Sequence, residues 1–176
     1  MNYDLNPISL KTVAGIKSDW YKQVDEIGEE GAYLYSGIER IVDWCEKVIT
    51  EKQTFLWELC HTKADTPCAI VEVADASKSK DPAFKLLTIY LEPRLILDCK
   101  DEIRKEDLQE ITSVYTYALV NSLQLAQDNG TFKLKIYGRT EEMRSLFDAL
   151  VLNTDNEDTG VTIYRQGKWL VIDGKG

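Results

Sequence analysis

His61 is the only histidine of the chain, and an imidazole is the side chain whose ordinary pKa suits proton transfer near neutral pH. A hydrolytic role would need a nucleophile for it to activate, and no G-x-S-x-G stretch is present. With Thr62 and Lys63 after it, His61 is expected to begin a polar turn. Cysteines stand at 45, 60, 68 and 99. None forms a C-x-x-C pair, and Cys60-His61 with Cys68 matches no common zinc spacing, so no metal site is expected. Cys45 falls on the apolar face of a predicted helix, and Cys60 and Cys68 fall in predicted strands. Buried free thiols in a reducing compartment follow. A second chemistry lies near the N-terminus, where Trp20, Tyr21, Tyr33 and Tyr35 surround the acidic residues Asp25, Glu26, Glu29 and Glu30. Aromatic residues dominate the energetics of protein interfaces, and flanking carboxylates steer basic partners toward them. The same residue types serve equally as core packing.

Elements that position these residues can be read from periodicity. The first 54 residues suggest a short strand and helices. Ser18 to Val24 suits a short helix, and Gly28 and Gly31 bracket an expected loop. Ser36-Gly37-Ile38-Glu39 has capping-box spacing, and Ile38, Ile41, Val42, Cys45, Val48 and Ile49 then recur at helical intervals. Phe55–Cys60, Cys68–Ala74 and Phe84–Leu91 have strand composition. The last of these is apolar on both faces, which suits a central, covered strand closed by Pro93. The longest helix is expected to open around Asp107–Glu110 and to stop at Asp128-Asn129-Gly130, with Leu108, Ile111, Tyr115, Leu119 and Ala126 inward. Phe132–Tyr137 alternates as a strand. Thr140 is placed to cap a further helix that buries Met143, Leu146, Phe147 and Leu150. Val161–Arg165 and Lys168–Asp173 form a terminal hairpin. No repeat, linker or second-domain boundary interrupts residues 1–176, so one domain is expected.

Net charge is −9 over 176 residues. Phosphate-backbone binding depends on Lys and Arg releasing counterions, so nucleic acid is a poor partner for this chain. No apolar run approaches a membrane span. The N-terminus lacks a basic stretch followed by an apolar one, and a cytoplasmic location is the expectation.

This order of elements resembles the GNAT N-acetyltransferases, most clearly over residues 55–173, with Leu91-Glu92-Pro93 resembling the end of that family's fourth strand. The resemblance implies an α+β fold: a mixed, largely antiparallel sheet with helices on both faces and a central pair of parallel strands that splay apart. It also implies acetyl-CoA as cofactor, with backbone groups around Leu91 and Pro93 meeting the pantetheine arm. In the family a Q/R-x-x-G-x-G/A turn then wraps the diphosphate, because glycines let backbone N–H groups approach it closely. Here the turn Arg94-Leu95-Ile96-Leu97-Asp98-Cys99-Lys100-Asp101-Glu102-Ile103-Arg104 holds no glycine. Arg94, Lys100, Arg104 and Lys105 are the cations left to hold phosphate, and Asp98, Asp101 and Glu102 oppose them. Cofactor binding is therefore expected to be weak or absent.

For catalysis the resemblance implies a general base, for which Glu92 is the first candidate and Glu72 the second. It also implies a tyrosine that protonates the leaving thiolate. Phe147 occupies that tyrosine's position and has no proton to give, leaving Tyr137 as the substitute. The N-terminal aromatics would lie over the acceptor site. Two functions follow: a divergent acyl-CoA-dependent N-acyltransferase, or a catalytically degenerate fold that binds a protein partner, such as a phage-type modulator of a host enzyme.

Overall fold

The computed structural model describes residues 3–52, 54–62, 67–97, 105–153 and 160–174. Seven strands form one hydrogen-bonded sheet in the order β1-β2-β3-β4-β5-β7-β6. They are β1 (Tyr3–Pro7), β2 (Phe55–His61), β3 (Pro67–Asp75), β4 (Phe84–Leu91), β5 (Lys133–Tyr137), β6 (Val161–Gln166) and β7 (Trp169–Gly174). Among the described residues five α-helices accompany them: α1 (Leu10–Ile27), α2 (Leu34–Glu51), α3 (Pro93–Leu97), α4 (Lys105–Asp128) and α5 (Glu141–Asn153).

Strand β4 is central, as its two-sided apolar sequence implies. It pairs parallel to β5, with Phe84 opposite Leu134 and Leu86 opposite Ile136. That ladder ends at Leu86, and β4 runs on to Leu91. The pairs β1·β2, β5·β7 and β6·β7 are antiparallel. This α+β sheet with one parallel pair, its partners joined through α4, is the arrangement the GNAT resemblance implies.

The chain forms two compact units. One comprises Met1–Glu72 with Ile89–Ala118. Its α1 starts where the Ser9 side chain accepts a hydrogen bond from the Thr12 N–H at 3.2 Å. It stops at Gly28, whose φ of +81° suits glycine. Val13, Ile16, Trp20 and Val24 recur every third or fourth residue and are buried against Ile38, Val42, Cys45 and Val48 of α2. Helix α1 is thus longer than the expected Ser18–Val24 segment, and Gly28–Gly31 forms a turn of 3-10 helix in place of a loop. Helix α2 already begins at Leu34. The expected capping box at Ser36 is therefore not formed: Ser36 lies inside the helix, and its hydroxyl donates to the Tyr33 carbonyl.

The second unit comprises Val73–Thr88 with Leu119–Gly176. Thr140 caps α5 as expected, accepting from the Met143 N–H at 3.2 Å. Of the four residues assigned to the inner face of α5, Phe147 is buried, whereas Leu146 and Leu150 are exposed. Gly138 is required by close approach: a Cβ there would stand 3.0 Å from the Phe147 ring and 3.2 Å from the Lys168 carbonyl.

Helix α4 corrects another expectation. Its buried residues are Val114, Ala118, Ser122 and Ala126, whereas Leu108 and Tyr115 are exposed. Small side chains let a helix lie close to its neighbours. Size alone misdirected the reading toward the bulkier stripe, since large apolar residues are common on protein surfaces.

Candidate functional site

Where β4 ends, the backbone of Glu92 is fixed from both sides. Its N–H donates to the Cys68 carbonyl at 2.9 Å, and its carbonyl accepts from Ile96 at 3.3 Å, opening α3. Pro93 follows as the first helical residue, where a missing N–H costs nothing. The Glu92 carboxylate is thereby held inward, and the residue is only 5 % exposed. Gln23 of α1 donates to one carboxylate oxygen at 2.7 Å, and Arg94 donates to the other at 2.8 Å. Arg94 also grips Glu110 of α4 through both terminal nitrogens, at 2.6 and 3.1 Å. The Gln23 side-chain oxygen Oε1 accepts from the Arg94 backbone N–H at 3.3 Å. One guanidinium thus serves two carboxylates, and one amide braces the acid and its partner.

Burial dominates the acid–base character of this group. It pushes the Glu92 carboxyl above the ordinary glutamate value, with Arg94 and Gln23 pulling the other way. Arg94 is held still more firmly protonated, first by its bond to Glu110. Burial also raises the Tyr3 hydroxyl and the Cys68 thiol to about 12 each. Both therefore stay protonated at neutral pH, and Cys68 is no nucleophile. Its thiol donates to the Leu59 carbonyl at 3.0 Å.

This arrangement tests the residues against a CoA diphosphate. Arg94, which follows the end of β4, is paired with Glu92 and Glu110, and its side chain is half-exposed. Leu91 is half-buried, Pro93 is buried, and Leu95 is fully buried, so the turn's apolar residues pack inward. Lys100 and Arg104 lie outside the described residues, and Lys105 is the first residue of α4. Most of the turn that would meet a diphosphate thus lies outside the described residues, and within them Arg94 is paired with carboxylates.

Other candidates stand apart from this network. Tyr137 ends β5 opposite Trp169, with ring centroids 4.9 Å apart. Phe147 lies 5.7 Å from the Arg165 guanidinium, in contact chemistry rather than acid chemistry. Glu72 is buried on β3, where Thr54 donates to it at 3.4 Å. His61 is the last residue of β2, registered opposite Tyr3, and a turn follows it at Thr62.

The N-terminal aromatics divide. Trp20 is 1 % exposed, and its indole N–H donates to the Pro67 carbonyl at 3.4 Å. It is a core residue and is withdrawn as a surface anchor, because its inward helical spacing with Ile16 and Val24 outweighs its aromatic type. Tyr21 and Tyr35 meet edge to face at 5.1 Å, and their hydroxyls donate to Glu39 and Asp25 respectively. Lys17 completes the group with a 3.0 Å bond to Glu39. Tyr33 is 47 % exposed.

Sequence reasoning missed Gln23 and Glu110. Both carried a usable signal. Gln23 sits between the inward residues Trp20 and Val24, and Glu110 lies one turn before buried Val114. A polar residue at an inward helical position needs a partner.

Comparison of folds returns acetyltransferases. A probable acetyltransferase aligns at 15 % identity and a TM-score of 0.48, over 94 % of this chain and 99 % of the other. The PaiA N-acetyltransferase of Thermoplasma acidophilum, solved with coenzyme A, aligns at 13 % and 0.44 over the whole of both chains. AtaTR bound with acetyl-CoA aligns at 10 % and 0.49, over 97 % and 92 %. No family model and no curated protein matches the sequence. The likeness is one of fold alone.

Proposed function

We propose that this chain is a GNAT-like scaffold used to bind a protein partner rather than to transfer an acyl group. The internal commitment of Arg94 to Glu92 and Glu110 carries this reading. It offsets the charge of the described cation nearest the end of β4, in a turn that has no glycine. Phe147, in place of a proton-donating tyrosine, points the same way. The docking surface is the face bearing Tyr21, Tyr33 and Tyr35, flanked by Asp25, Glu26, Glu29 and Glu30. Tyr21 and Tyr35 have their hydroxyls already fixed by carboxylates, so little side-chain entropy remains to be lost on binding. The acidic flank favours a basic partner and speeds encounter with it.

Affinity capture from lysate with wild type and with a Tyr33→Ala, Tyr35→Ala variant of unchanged melting temperature tests this reading. Selective loss of a captured protein is the expected result. Equal recovery by both removes this surface.

One observation favours the other reading, an acyl-CoA-dependent N-acyltransferase. Burial raises the Glu92 carboxyl, and Gln23 and Arg94 orient it, which suits a general base. A rise in melting temperature with acetyl-CoA would favour it, since a ligand that binds the native state stabilises it.

A further inference from the structure

We infer that a groove along α2 binds a carboxylate carried on a flat apolar body. Its lining is Gly37, Arg40, Ile41 and Trp44, with Tyr90 of β4 opposite. The four α2 residues follow i, i+3, i+4, i+7 spacing and so share one helix face. The groove is open to solvent along its length and holds about 310 Å³. Trp44 and Tyr90 form its aromatic wall, with ring centroids 5.3 Å apart and planes tilted by 59°.

Charge decides what fits. The Arg40 inner nitrogen donates to the Ser36 carbonyl at 3.1 Å, which orients the guanidinium. Among the described residues its two terminal nitrogens bond no acceptor and form no ion pair. The other described arginines all use theirs: Arg94 on Glu92 and Glu110, Arg139 on Thr88, Arg144 on Glu141, and Arg165 on backbone carbonyls. Nearby Glu39 is occupied by Lys17 and Tyr21. A planar pair of donors beside aromatic rings matches a carboxylate's two oxygens and an adjoining flat group. A phosphate would call for several cations, and this groove offers one. Gly37 keeps the space open: a Cβ there meets nothing within 4 Å, and its backbone is ordinary helix.

The probe is N-acetyl-phenylalanine, titrated into the full chain and followed by amide and indole NMR. Saturable shifts at the Trp44 indole N–H and the Gly37 amide are expected. The neutral N-acetyl-phenylalaninamide should bind at least tenfold more weakly, as should the acid to Arg40→Gln. Gly37→Leu should abolish the shifts while the melting temperature holds or rises, because leucine favours helix over glycine. A pentapeptide ending in phenylalanine distinguishes the source: tighter binding than the probe marks a peptide C-terminus, and equal binding marks a free acid. Either result supports the site. No saturable shift at Trp44, equal binding of acid and amide, or undiminished binding by folded Gly37→Leu overturns it.

Discussion

Two ion clusters in this chain are built as inverses. In one, the cation Arg94 is shared by Glu92 and Glu110. In the other, the anion Asp81 is shared by Lys133 and Lys135, at 3.1 and 2.5 Å. The buried member differs too. Glu92 is 5 % exposed and its carboxyl is raised by burial. The Asp81 side chain is 48 % exposed, and its carboxyl is lowered, first by Lys135 and then by Lys133. The contrast shows that having a cationic partner does not fix the sign of a carboxylate's shift. Desolvation outweighs the partner when the acid itself is inside, and the partner prevails when the acid is half in water.

Breaking the inward cluster should cost most. Arg94→Ala strands a buried carboxylate and should lower stability by about 2 kcal/mol, below the fully buried range because the guanidinium is half-exposed. Urea denaturation measures the loss, and adding Glu92→Gln should recover part of it. Full additivity of the two changes would mean that the groups are not coupled. Lys135→Met should cost less, since Asp81 keeps Lys133 and can turn to water. A loss larger than that of Arg94→Ala would reverse the ranking.

The pH dependences should have opposite signs. Glu92 titrates above its ordinary value of 4.5, so the folded state binds the proton more tightly than the unfolded state. Its contribution is fully present at low pH and is lost as pH rises through that raised value. Asp81 titrates below its ordinary value of 3.8. Its contribution is present above that value and is lost as pH falls through the depressed one. Urea midpoints measured from pH 3 to 7 should therefore show Glu92→Gln removing a decline toward neutral pH and Asp81→Asn removing a decline toward acid. The Asp81 effect is the smaller, because solvent screens an exposed pair. Identical profiles for both variants would undo the comparison.

Most of the architecture was legible. The limits of β4 follow from an apolar run that Pro93 must end, and the terminal hairpin follows from two strand-forming segments around Gln166-Gly167. Thr140 announced α5. Helix faces were harder to read where small and large apolar residues compete. On α4, Val114, Ala118 and Ser122 are buried in preference to Leu108 and Tyr115, and nothing in periodicity favours alanine and serine over leucine. The candidate site was legible only in part. Glu92 and Arg94 were singled out, but as base and phosphate ligand, one to react and one to bind. That they bond each other depends on Glu110, sixteen residues beyond Arg94, and on Gln23 from another helix. A polar residue at an inward helical position signals that it needs a partner, but not which residue of another element supplies it.

Isothermal titration of acetyl-CoA into wild type and Arg94→Ala tests the central claim most directly, because an arginine paired with two carboxylates has its charge already offset and must give up those bonds to turn to a diphosphate. The prediction is no binding tighter than about 10 μM, roughly 7 kcal/mol, in either protein. A tighter constant in wild type that weakens tenfold or more in Arg94→Ala would contradict it, placing Arg94 on the cofactor.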